Sequence, residues 1–94
     1  MILNDGGDRR FDVVGDLVLA TFSEQRQRAI TAMEQGRVII DFQNLKEFDS
    51  SAVVFMLECV RASKDQAKFS SLPKALLGLI SLYGVADILD TTQG

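Results

Sequence analysis

Residues 38–42 read Val-Ile-Ile-Asp-Phe, an apolar run interrupted only by Asp41 and bounded by Gly36-Arg37 before it and Gln43-Asn44 after it. A run this short and unbroken predicts a central strand covered on both faces, because a half-exposed strand would alternate. Upstream, residues 10–14 and 17–22 are two β-rich runs separated by Gly15-Asp16, a pair that predicts a hairpin. Ser23 can then cap a helix reaching Gln35, with Ile30 and Met33 inward, a polar first turn outward and Gly36 as its stop. Beyond the central strand, a second helix is predicted over 50–63, a polar break over 64–66 and a short strand over 67–70. Ser71-Leu72-Pro73 opens a third helix, with Pro73 in a first turn where no N–H is required. That helix stops at Gly84, and residues 85–89 close the domain. The order is ββαβαβα, and strands alternating with helices predict an α/β fold: a small mixed β-sheet packed with helices.

The third helix is more apolar than one buried face requires. Leu76, Ile80 and Tyr83 fall at helical spacing and can line a face toward the sheet, which leaves Leu79 and Leu82 toward a second face. Together with Val54 on the second helix, Leu79 and Leu82 form a candidate partner-binding surface; the bland alternative is that the second helix covers them.

Composition narrows the function classes. Ninety-four residues make one domain, expected over 10–90 with a flexible N-terminus over 1–9 and a tail over 91–94. Ten basic and thirteen acidic residues leave a net charge of −3, and the basic residues form no tract longer than Arg9-Arg10, which argues against a nucleic-acid partner. The longest apolar run, residues 52–57, is far short of the roughly 20 residues that span a bilayer, and no basic leader precedes an apolar stretch. A cytoplasmic protein without direct membrane insertion is the expectation. One cysteine, Cys59, excludes an internal disulfide and reads as a core residue on an apolar helix. The chain has no histidine, which removes Ser-His-Asp and Cys-His nucleophile systems, and no Walker-type phosphate loop is present. No catalytic residue, metal site or cofactor is expected.

The chemistry that remains lies at residues 48–52, Phe-Asp-Ser-Ser-Ala, where the second helix begins. Unpaired N–H groups and the positive end of the helix dipole favour an acceptor or anion there. A helix cap needs only one of Asp49, Ser50 and Ser51. Two consecutive hydroxyls ahead of a helix apolar nearly all round make Asp49, Ser50, Ser51 and Ala52 a candidate partner-binding loop.

The run 38–42, then Leu45, then Phe48-Asp49-Ser50-Ser51-Ala52, resembles the STAS domain (sulfate transporter and anti-sigma-factor antagonist), whose hallmark is an apolar strand ending in Asp, a short loop, and Asp-Ser/Thr at a helix start. The later block, with Leu72-Pro73 opening a helix and Leu82-Tyr83-Gly84-Val85 closing it, resembles the MlaB-like STAS subunits of bacterial Mla-type phospholipid transport systems. Position 52 departs from the pattern, holding Ala where the family usually has Gly. The resemblance implies a non-enzymatic subunit that docks on the ATPase of an ABC transporter, supports it through Ser50, and is held peripherally at the inner membrane by that complex. Its alternative implication is an anti-anti-sigma factor, phosphorylated at Ser51 and binding an anti-sigma factor kinase.

Overall fold

The computed structural model describes residues 9–89; the expected flexible N-terminus over 1–9, apart from Arg9, and the tail over 91–94 lie outside them. Five strands and three α-helices follow in the order β1 (Arg10–Asp12), β2 (Gly15–Leu17), α1 (Phe22–Glu34), β3 (Ile39–Asp41), β4 (Leu45–Phe48), α2 (Ser51–Ala62), β5 (Lys68–Ser70) and α3 (Lys74–Leu82). The α/β class and the predicted succession hold, with one strand, β4, added between the central strand and α2.

β3 is central, as its apolar run requires: the three-stranded sheet has the order β1-β3-β5. Register places Phe11, Ile40 and Phe69 side by side, so all three project from one face. Ile40 and Phe69 are fully buried there. Phe42 continues this face, meeting Phe55 of α2 edge-on at a centroid distance of 6.3 Å and Phe69 at 6.2 Å.

The other face corrects the expectation of burial on both sides. It carries Arg10, Ile39 and Lys68 in one row and Asp12, Asp41 and Ser70 in the next. Of these, Arg10, Asp12 and Lys68 are exposed and Ile39 is only half-buried. The apolar run of β3 fills one face fully and the second in part, which the neighbouring strands reveal and β3 alone does not. Asp41 is nevertheless buried, because it ends the strand with bonds to three partners. Its carboxylate accepts from the Gln43 N–H at 2.7 Å and from the Ser70 and Ser71 hydroxyls at 3.2 and 3.3 Å. These bonds hold the turn into α3, where Ser71 takes a left-handed φ of 59°.

No hairpin forms at Gly15-Asp16. β1 pairs with β3 and β2 with β4, both in parallel, so the chain keeps its direction through Gly15, whose φ is +87°. The sheets among the described residues are accordingly parallel rather than mixed. The carbonyls a hairpin partner would have used are taken by side chains instead. Gln25 donates to the carbonyls of Val14 and Asp16, and the Thr21 hydroxyl donates to that of Asp16 while accepting the Val18 N–H. The predicted second run therefore ends at Leu17, turns over Leu19–Thr21 in a 3-10 helix, and enters α1 at Phe22.

α1 buries Gln25, Ala29, Ala32 and Met33, one face at helical spacing, and packs on α2. Arg26 reinforces that contact through an ion pair with Glu58 at 3.1 Å. Gly36 ends α1 at φ +86° and Gly84 follows α3 at φ +70°, the stops that the sequence indicates. Cys59 lies in the core, and burial pushes its thiol up to about 12, with the Glu58 charge adding to the rise. A thiol so held is not a nucleophile at neutral pH.

Candidate functional site

β4 delivers the motif. One residue separates the paired positions of β2 (Gly15, Leu17) but two separate those of β4 (Leu45, Phe48), so β4 carries a bulge. The strand ends at Phe48, and the Asp49 N–H donates to the Leu17 carbonyl at 3.3 Å, fixing the point where the chain turns into α2.

Asp49 performs the capping. One carboxylate oxygen accepts the Ser51 N–H at 2.8 Å, and the other accepts the Leu19 N–H at 3.1 Å. A single side chain thus joins the start of α2 to the turn before α1. The Ser51 N–H, then the Leu19 N–H, hold the Asp49 carboxyl below its ordinary range, and the Ser51 hydroxyl adds to the effect. Asp49 is therefore ionised at any physiological pH. Because its folded pKa is depressed, its stabilisation is fully present well above the unfolded value of about 3.9 and is lost as pH falls through the lower folded value. Asp49→Asn should flatten the acid end of the stability-versus-pH curve below about pH 4, as followed by thermal unfolding across pH; an unchanged acid limb would contradict the bridge.

With Asp49 as the cap, neither serine is needed for it. The backbone of Ser50 is already helical, at φ −58° and ψ −21°, and its side chain makes no capping bond. Its exposed hydroxyl instead shares a hydrogen bond of 2.8 Å with the Tyr83 hydroxyl, which brings the end of α3 to the start of α2. Ser51 is half-buried as the first residue of α2. Ala52 is fully buried in the core, so the methyl that departs from the family pattern is absorbed by packing.

Behind the Ser50–Tyr83 bond lies a groove of about 390 Å³, lined by Ser50, Val53, Val54, Leu57, Tyr83 and Val85. Val54 is 48% exposed, Tyr83 50% and Leu82 76%. Leu19, tied to Asp49 through its N–H, is 78% exposed. The structure thus gathers Asp49, Ser50, Ser51 and Val54 at one end of the fold. Leu82 lies open on α3 without lining the groove, and Leu79 is turned inward against the core.

Tyr83 and Leu19 are the residues that sequence reasoning did not place here. Helical spacing assigned Tyr83 to the sheet side with Leu76 and Ile80, both of which are indeed buried. α3 ends at Leu82, however, and Tyr83 occupies the cap position, where it is half exposed and reaches Ser50. Gly84 immediately after it was the available signal. Leu19 falls within the β-rich run 17–22, where Thr21 alone among its neighbours signals the turn.

Among the described residues no group of three His, Cys, Asp or Glu side chains could hold a metal ion, and no helix is long and apolar enough to cross a membrane.

Comparison of the sequence finds no matching family model and no matching curated protein. Comparison of the structure gives a clear likeness to the unphosphorylated form of the anti-sigma factor antagonist SpoIIAA, with a TM-score of 0.62 at 20% identity, over 88% of this chain and 76% of that one. The fold is that of the STAS domain. At this identity the likeness establishes the fold alone.

Proposed function

We propose that this STAS domain is a non-enzymatic interaction module of the anti-sigma-factor-antagonist kind, docking a partner protein through loop 49–52 and the adjoining ends of α2 and α3. The observation that carries the reading is the exposed Ser50–Tyr83 hydroxyl pair at a helix start whose capping is done by Asp49, so that neither hydroxyl is consumed by the cap. Exposed apolar side chains on either side, Leu19, Val54 and Tyr83, supply the contact area an interface needs. The likeness to the anti-sigma factor antagonist SpoIIAA supports the same class, and the partner would then be an anti-sigma factor.

Regulation follows from Ser51. A phosphoryl group on its hydroxyl would lie in the first turn of α2, where the dipole favours an anion, but also beside the Asp49 carboxylate. The added charge opposes the bridge to Leu19 and changes the surface offered to the partner. Ser51→Glu should weaken docking by about tenfold or more in a binding titration with the partner, since misplaced like charges at an interface cost several kcal/mol. Equal binding by Ser51→Glu, Ser50→Ala and the wild type would reduce the loop to a helix cap.

A second reading has its own support. The block 72–89 carries the resemblance to phospholipid-transport subunits, and its Tyr83 meets Ser50 directly, so the loop and the block form one surface. In that reading the partner is the ATPase subunit of an ABC transporter at the inner membrane, and this chain attaches peripherally from the cytoplasmic side. Parallel pull-downs with the two baits encoded nearest to it, an anti-sigma factor kinase or a transport ATPase, decide between them.

A further inference from the structure

Ser50 and Tyr83 are 33 residues apart, yet they contribute the hydroxyl-to-hydroxyl bond that joins the two helices lining the groove. We propose that Tyr83 is a docking residue for the anti-sigma factor, with its ring positioned by Ser50, so that the chemical state of the Ser50 hydroxyl sets the shape of the α2–α3 groove. The functional part of this inference rests on the docking reading above; the positioning part does not.

Three observations carry it. Tyr83 is the C-cap residue of α3, its N–H on the Leu79 carbonyl, and Gly84 at φ +70° turns the chain away directly after it, so no further helical turn packs against the ring. Half of the side chain faces solvent while the rest forms a wall of the groove with Val53, Val54, Leu57 and Val85. Its hydroxyl bonds to Ser50 and its backbone N–H to the Leu79 and Ser81 carbonyls, so Ser50 is the side chain that orients the phenol. A substituent on Ser50 Oγ competes with the phenol for the place 2.8 Å away, and replacement by hydrogen removes the bond altogether. Either change frees the ring to leave the groove wall. A change at the loop is thereby felt at the end of α3, which gives the two consecutive serines separate tasks. Ser51 acts on the Asp49 bridge, whereas Ser50 acts on the Tyr83 wall.

Tyr83 is the chain's one tyrosine, and there is no tryptophan, so intrinsic fluorescence reports on this ring alone. Acrylamide quenching of the intact chain is compared for wild type, Ser50→Ala, Ser50→Thr and, as a control on the exposed side of α3, Ser81→Ala. Loss of a bond of ordinary strength shifts the ratio of free to held ring by about fivefold. Ser50→Ala is therefore expected to raise the quenching of Tyr83, Ser50→Thr to restore it, and Ser81→Ala to leave it at the wild-type value. Quenching of Ser50→Ala equal to wild type overturns the positioning role, whatever the partner assay shows. A second arm measures binding of the co-encoded anti-sigma factor by Ser50→Ala and by Tyr83→Phe, which keeps the ring and the fold but loses the hydroxyl. Weaker binding by both supports the inference entire. Raised quenching together with wild-type binding by both variants upholds the Ser50–Tyr83 coupling and overturns this face as the docking site.

Discussion

Ile40→Ala is expected to lower stability by about 2–5 kcal/mol, the cost of truncating a buried large aliphatic residue. Ile40 has no exposed surface, lies in register between Phe11 and Phe69, and belongs to the layer that Phe42 joins to α2 through Phe55. Truncation leaves a void that rigid aromatic neighbours fill poorly, which favours the upper part of that range. Urea unfolding measures it, and a loss under about 0.5 kcal/mol, the range of surface changes, would contradict the central buried placement. Ile39→Ala tests the one-sided burial at the adjacent position. Ile39 projects from the opposite face beside Arg10 and Lys68 and is half-buried, so its truncation should cost clearly less. Equal losses at 39 and 40 would mean that both faces are covered after all.

What the sequence made legible was what composition and local chemistry determine within a few residues. The central strand, the three helices, the stops at Gly36 and Gly84 and the loop at 49–52 all follow from such signals. What escaped it was set by pairing between distant segments. Gly15-Asp16 is a hairpin signal only if the following residues turn back, and here Gln25 and Thr21 take the Val14 and Asp16 carbonyls first. β4 escaped because its bulge spaces Leu45 and Phe48 three apart, hiding the period of two that marks a strand. The same logic governs the site. That Asp49, Ser50 and Ser51 start a helix was readable, but which of them caps it depends on the Leu19 N–H, 30 residues away. The role left to Ser50 depends in turn on Tyr83.

The apolar face of α3 divides into two residues with opposite behaviour, and a pair of identical substitutions separates them. Leu79 is packed against the core that holds Leu76 and Ile80, so Leu79→Asp places a carboxylate where it has neither full hydration nor a partner. A loss of about 1–3 kcal/mol is expected, together with a lower midpoint in thermal unfolding. Leu82 is 76% exposed in the last turn of the same helix. Leu82→Asp should therefore stay within about 0.5 kcal/mol of wild type. It does, however, place a negative charge near the negative end of the α3 dipole, so the small change that occurs should be unfavourable. Partner binding is the second readout. If Leu82 extends the surface formed by Ser50, Val54 and Tyr83, Leu82→Asp lowers affinity at unchanged stability, because a charge is put into a contact that was apolar. Unchanged affinity would end the interface at Tyr83 and leave Leu82 an ordinary exposed leucine, of the kind folded proteins carry at no consequence.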